Sequence, residues 1–271
     1  PSWNELVEQI QNQVSKILNR CIRLENDTEN SDHIESLRGM ISDDEFWSIL
    51  FDIFQPGGIH HPFVPYHLDL CQIPWLSFIT TNYDYCIENA STRIGKHFTS
   101  QYFPELNITN IREGQIYHIH GIIDRLKPEL SKLSTIISSR DYEKAYSSNT
   151  NLPRFLATLS EFYSLVFLGY SLSDKDLNRI IHETQLEIRS RSQIESQSGW
   201  GNRRTINNFI VIHEASSINL DAIKELGLIP VILDNAVYLR EALYGFLSHV
   251  RARTTNIKFL PPDINREPFE D

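Results

Sequence analysis

The sequence predicts an α/β fold, a parallel sheet with helices on both faces and a helical insertion. Three observations carry that prediction. Short apolar, β-rich runs alternate along the chain with segments of helical periodicity, as strands joined by crossover helices do. Two of those runs end in polar residues or glycine, Thr80-Thr81-Asn82-Tyr83-Asp84 and Tyr117-His118-Ile119-His120-Gly121, and ligands of open α/β sheets bind at the carboxyl ends of strands. With 271 residues, 41% of them hydrophobic, the chain is long enough for one large domain with a substantial core. Together these features describe a Rossmann-like architecture.

The elements follow in order. Trp3, Leu6, Val7, Ile10, Val14, Ile17, Leu18 and Cys21 recur at spacings of three and four, which predicts an opening amphipathic helix of about five turns. Ser42 followed by Glu45 has the form of a capping box, so a second helix starts there and buries Phe46, Trp47, Leu50, Ile53 and Phe54. Gln55 to Tyr66 holds Pro56, Gly57, Gly58, Pro62 and Pro65 and reads as a loop. Strands are expected at Trp75 to Thr80, Gln115 to His120, Ser164 to Leu168, Asn208 to Ile212 and Ile229 to Leu233. Helices are expected from Tyr85, over Pro153 to Phe162, Lys175 to Ile188, Ile218 to Leu226 and Val237 to Val250. Arg189 to Arg204 is rich in Ser, Gln and Gly and predicts a poorly ordered excursion, with Trp200 as a candidate partner contact. Thr254 to Asp271, with Pro261, Pro262 and Pro268, reads as a tail or a linker to a further domain, leaving residues 1–253 as the main domain.

Composition excludes several classes. A net charge of −10 argues against direct nucleic-acid binding through a basic face. No apolar run approaches the length of a membrane span, and the N-terminus lacks a signal-peptide profile. Three scattered cysteines, Cys21, Cys71 and Cys86, do not make a disulfide framework, so a reducing cytoplasm is the expected setting.

The polar residues at the strand ends admit more than one reading. Asn82 and Asp84 are good helix caps for the segment that begins at Tyr85. His118 and His120, two apart on a strand, share a face; with His60, His61 and His67 they offer a His-ligated zinc hydrolase. His118 alone suits a structural hydrogen bond within the sheet. Gly121 lets the backbone turn sharply or approach a ligand closely. Asp174 and Asp176, after the Gly169-Tyr170-Ser171 turn, are placed to offset the dipole of the next helix.

Four segments in order give a resemblance that reaches from Pro74 to about Arg179. They are Thr80-Thr81-Asn82-Tyr83-Asp84, Ile119-His120-Gly121, Ser139-Arg140-Asp141-Tyr142 and the run from Phe167 through Gly169-Tyr170-Ser171 to Leu177. The set resembles the sirtuin-like NADase domains of bacterial antiphage defence proteins. By that resemblance Asn82 and His120 are catalytic, on the nicotinamide-ribose side. Thr81, Asp84, Gly121, Gly169, Tyr170, Ser171 and Ile212 bind the cofactor, with Ile212 bordering the adenine.

Two departures qualify what the resemblance implies. Zinc-containing sirtuin deacylases carry two Cys-x-x-Cys pairs, and this chain has none, which favours hydrolysis of NAD over protein deacylation and implies no metal. No Gly-x-Gly-x-x-Gly is present among the eleven glycines. In the family that loop precedes a Pro-Ser-Trp-like segment, and this chain begins Pro1-Ser2-Trp3, so the first strand and phosphate loop are expected to lie before Pro1. The implied activity is that of an NAD+ glycohydrolase in an antiphage defence, or abortive infection, system. NAD is its substrate, and a homo-oligomer and a sensor or regulatory partner are its expected company. A non-catalytic module that binds NAD or ADP-ribose is the alternative the missing loop favours.

Overall fold

The computed structural model describes residues 1–25, 28–55, 63–148, 150–198, 207–213, 219–233 and 241–245. The α/β class holds: parallel sheets are flanked by helices. Helix α1 (Trp3–Ile17) starts at Ser2, whose amide donates to the Glu5 carboxylate at 2.7 Å. It buries Leu6, Val7, Ile10 and Val14. The helix stops short of the expected five turns because Asn19 enters the left-handed region at φ 48, which asparagine tolerates. Helix α2 (Asn30–Arg38) was not expected, since it buries only Ile34 and Leu37 and otherwise presents polar side chains without a period to read. The Ser42–Glu45 box opens helix α3 (Asp43–Phe54) as expected. Its buried face is Phe46, Trp47, Ile49, Leu50 and Phe51, while Ile53 and Phe54 are half-buried.

These three helices share a core that also takes in Tyr83, Ile123 and Ile137. Each fully buried Leu, Ile or Phe in it contributes about 2 kcal/mol, so the helical layer is held firmly against the loop that carries Asn82.

Pro65, expected within a loop, instead occupies the first turn of helix α4 (Pro65–Gln72), where a missing amide costs nothing. Strand β1 (Ser77–Thr80), helix α5 (Cys86–Arg93), strand β2 (Thr99–Tyr102) and strand β3 (Gln115–His118) follow. β3 lies between the other two, parallel to both, with Thr80 and Tyr102 each in register with His118. Every residue of β3 is buried. β2, Thr-Ser-Gln-Tyr, has no apolar alternation and gives no strand signal.

The second half holds helix α6 (Pro128–Ser134), helix α7 (Ser139–Tyr142), a π-helical turn over Glu143–Ser148 and helix α8 (Asn151–Phe162). Strand β4 (Val166–Leu168), helix α9 (Lys175–Ser198), strand β5 (Asn208–His213), helix α10 (Leu220–Glu225) and strand β6 (Leu228–Leu233) complete it. β4, β5 and β6 form a second parallel sheet with β5 central, so the strands are hydrogen-bonded as two three-stranded sheets. One core joins them: Tyr117 of β3 and Ile119 just beyond it pack with Phe155 and Leu159 of α8, Ile180 and Ile181 of α9, and Ile210 and Ile212 of β5.

The excursion expected from Arg189 is corrected up to Ser198, where α9 is still helical; its Gln, Glu and Arg residues are good helix formers. The rest of that stretch, including Trp200, lies outside the described residues, as do most of the helix expected over Val237 to Val250 and the tail from Thr254. No helix among the described residues is long and apolar enough to cross a membrane.

Candidate active site

A cleft of about 1670 Å³ opens where the strands end. Thr81, Asn82 and Asp84 line it from the loop after β1, His120 from the turn after β3, and Gly169, Tyr170 and Ser171 from the turn after β4. Parallel strands deliver all three loops to the same end of the fold, which is why residues far apart in sequence meet there. Gly121 and Ile212 are not among the lining residues. Gly121 sits at φ +80, and a Cβ there would lie 2.1 Å from the Ser134 carbonyl oxygen, so the close approach it permits is to protein backbone at the end of α6. Ile212 packs in the core between the sheets.

Asn82 is held by its backbone and free at its side chain. Its amide donates to Thr80 Oγ1 at 3.0 Å, and its carbonyl faces His118 Nδ1 at 3.4 Å. The side chain is exposed in the cleft. Neighbouring Tyr83 is buried, donating its hydroxyl to the Ile136 carbonyl at 2.6 Å and meeting Phe54 edge-on. Asp84 sits one residue before the α5 N-cap, Tyr85, and its Oδ1 accepts from the Cys86 amide at 2.9 Å in a local turn.

His118 and His120 do not share a face. β3 ends at His118, and the turn through Gly121 breaks the two-residue alternation. His118 is fully buried, donates from Nε2 to Glu88 Oε1 at 2.7 Å and stacks on Tyr102. That is the structural role open to it in the sequence. Glu88 also accepts from Ser100, so α5, β2 and β3 are pinned together beneath Asn82.

His120, 3% exposed, has a different shell. Its Nε2 lies 2.8 Å from the Tyr146 hydroxyl and 3.3 Å from Asp174 Oδ2. The ring meets Tyr142 edge-on at 5.4 Å, and Tyr142 and Tyr146 are stacked at 9°. The π-helical turn sets Tyr146 four residues beyond Tyr142 on this one face, and such turns concentrate at functional sites. Burial first, with Asp174 adding to it, pushes the Tyr146 phenol far above its ordinary range. Tyr142 is raised by burial first, then by Tyr83 and Asp174. Both phenols therefore stay protonated at neutral pH.

The turn after β4 is shaped for close approach. Gly169 adopts φ +65 with nothing within 4 Å of where a Cβ would stand, so backbone is open to the cleft there. Ser171 and Ser173 hydroxyls lie 2.7 Å apart. Leu172 takes φ +59, an uncommon conformation for a non-glycine residue, and Asn178 Nδ2 holds its carbonyl at 2.8 Å.

The SIR2-like domain profile matches residues 76–225, more than half of the chain. The chain belongs to the SIR2-like family. Among curated proteins, this SIR2-like chain is 29% identical over 136 residues to the NAD(+) hydrolase ThsA of Enterococcus faecium, covering 47% of the chain and 26% of that protein. It is 28% identical over 123 residues to the NAD(+) hydrolase ThsA of Cytobacillus dafuensis, covering 42% and 22%. Defense-associated sirtuin 2 of Bacillus subtilis is 27% identical over 139 residues, covering 51% and 13%. The matches thus span 26% or less of each relative's length.

The zinc arrangement offered by the histidines finds no geometric support among the described residues. His118 and His120 turn to separate partners, and His67 Nδ1 accepts from the Val64 amide at 3.1 Å. His60 and His61 lie outside the described residues. Among the described residues no group of three His, Cys, Asp or Glu side chains is placed to hold a metal. The sequence reading missed Glu88 and Tyr146. The spacing of Tyr142 and Tyr146 was the available signal for the second; nothing local marks Glu88, whose partner comes from a distant strand.

Proposed function

We propose that this domain is an NAD+ glycohydrolase that releases nicotinamide and ADP-ribose. One observation carries the reading: Asn82, His120 and the Gly169–Ser171 turn, separated along the chain, line one cleft at the ends of parallel strands. The bond between nicotinamide and C1′ of the ribose breaks with its electron pair going to nicotinamide, through an oxocarbenium-like sugar. Water forms the new bond to C1′ and gives up a proton. The exposed Asn82 amide orients that water or a ribose hydroxyl, and His120 accepts the proton. The open backbone at Gly169, with Tyr170 and Ser171, takes the phosphate and adenosine portion, and Thr81 and Asp84 border the ribose. Gly121 acts by placing His120.

The names of the relatives support both the reaction and a role in antiphage defence. In that role the activity belongs to a longer or assembled protein, with a homo-oligomer or a sensor partner controlling it. The test is to incubate the full-length protein with NAD and separate the products. Nicotinamide and ADP-ribose in equal amounts are expected; NAD left intact while bound to the protein would favour a non-catalytic binding module.

A further inference from the structure

We propose that Asp174 is a positioning residue that fixes the tautomer of His120, keeping the proton on Nε2 and the lone pair on Nδ1. The inference deepens the NADase reading and rests on it for its catalytic meaning. As a helix-capping residue Asp174 needs only one oxygen: Oδ1 accepts from the Leu177 amide at 2.8 Å at the start of α9. The second oxygen, Oδ2, is buried and has no hydrogen-bond partner among the described residues. It lies 3.3 Å from His120 Nε2, off the line of a good hydrogen bond but well within electrostatic reach.

That oxygen decides between two arrangements that Tyr146 alone leaves equal. The Tyr146 hydroxyl, 2.8 Å from the same nitrogen, can donate to it or accept from it. A carboxylate oxygen facing a nitrogen lone pair at this distance is repulsive, and an unpartnered buried carboxylate is costly. Both costs fall when Nε2 carries the proton. The N–H then donates to Tyr146 Oη and points its positive end toward Asp174 Oδ2, and among the described residues Nδ1 is left with no partner. Orientation of one ring nitrogen by the partner of the other is a general device in histidine chemistry.

Asp174→Asn gives a sharp test because asparagine caps helices as well as aspartate does. The cap needs the amide oxygen, so the amide NH2 is turned toward Nε2 and demands a lone pair there. The tautomer should invert while the fold is kept. Long-range 1H–15N spectra of the full chain carrying labelled histidine should show Nε2–H in the wild type, Nδ1–H in Asp174→Asn, and Nε2–H retained in Tyr146→Phe. Nicotinamide release by Asp174→Asn should fall by about 10²-fold or more in kcat, with KM for NAD within about threefold and an unchanged melting temperature. An Nδ1–H signal in the wild type, an unmoved tautomer in Asp174→Asn, or inversion by Tyr146→Phe instead would each overturn the proposal. Full activity of Asp174→Asn beside an active wild type would overturn it while sparing the NADase reading. A wild type that binds but never cleaves NAD would defeat that reading and leave the tautomer result to stand or fall by itself.

Discussion

Replacing Gly121 with alanine should unfold the site from behind. The residue stands at φ +80, and an added Cβ would fall 2.1 Å from the Ser134 carbonyl oxygen, 2.3 Å from its carbon and 2.7 Å from the Thr135 nitrogen. These are backbone atoms, so no side chain can swing aside. The two segments are also tied together: the Ile136 amide donates to the His120 carbonyl at 3.0 Å, and Thr135 Oγ1 donates to the Ile122 carbonyl at 3.0 Å. Left-handed backbone costs an alanine about 1–2 kcal/mol, and overpacking of this kind adds about 1–3 kcal/mol. The sum is roughly 2–5 kcal/mol, or a drop of roughly 5–20 °C in melting temperature for a domain of this size. Gly95 provides the control, since it has φ +76 with nothing within 4 Å of its Cβ position. Gly95→Ala should therefore lose only the conformational part, about 1–2 kcal/mol. Thermal unfolding followed by circular dichroism measures both. Equal losses in the two variants would refute the argument that backbone crowding by Ser134 makes glycine necessary at position 121.

Other predictions address the supports of the site. Glu88→Ala strips the buried His118 of its carboxylate and should destabilise the fold by about 2–4 kcal/mol in urea unfolding; a loss below about 0.5 kcal/mol would show that the pair does not hold β2, β3 and α5 together. Ser42→Ala removes the hydroxyl of the α3 capping box, 3.3 Å from the Glu45 amide, and should cost about 1 kcal/mol in the same assay. Burial pushes the Cys71 thiol up to about 12, and burial followed by Asp84 raises that of Cys86, whereas Cys21 is exposed. Iodoacetamide at pH 8 should therefore label Cys21 alone in the folded protein, and equal labelling of Cys71 would contradict its placement.

What the sequence disclosed follows from which forces are local. The apolar runs Trp75 to Thr80 and Gln115 to His120 announce strands by composition, and the Ser42–Glu45 box announces a helix start by chemistry within four residues. α2 and β2 are polar, held by the elements around them, and leave no periodic trace. The pairing of His118 with His120 failed because strand alternation stops at the last ladder residue, and Gly121 then turns the chain. Asp174 was legible as an acid that offsets the dipole at a helix start, and in the structure its Oδ1 caps α9. Its second oxygen meets a histidine from a different strand, and no local pattern encodes that meeting. The cleft itself is a property of parallel topology, which brings the three loops together whatever their separation in sequence.

The central claim is that Asn82 and His120 act together on the nicotinamide–ribose bond. The direct measurement is nicotinamide released from NAD by full-length wild type, Asn82→Ala and His120→Ala, assayed under the conditions that activate the wild type. Each single variant should fall by about 10²-fold or more, with folding intact by circular dichroism. Wild-type rates of nicotinamide release in either variant would contradict the account.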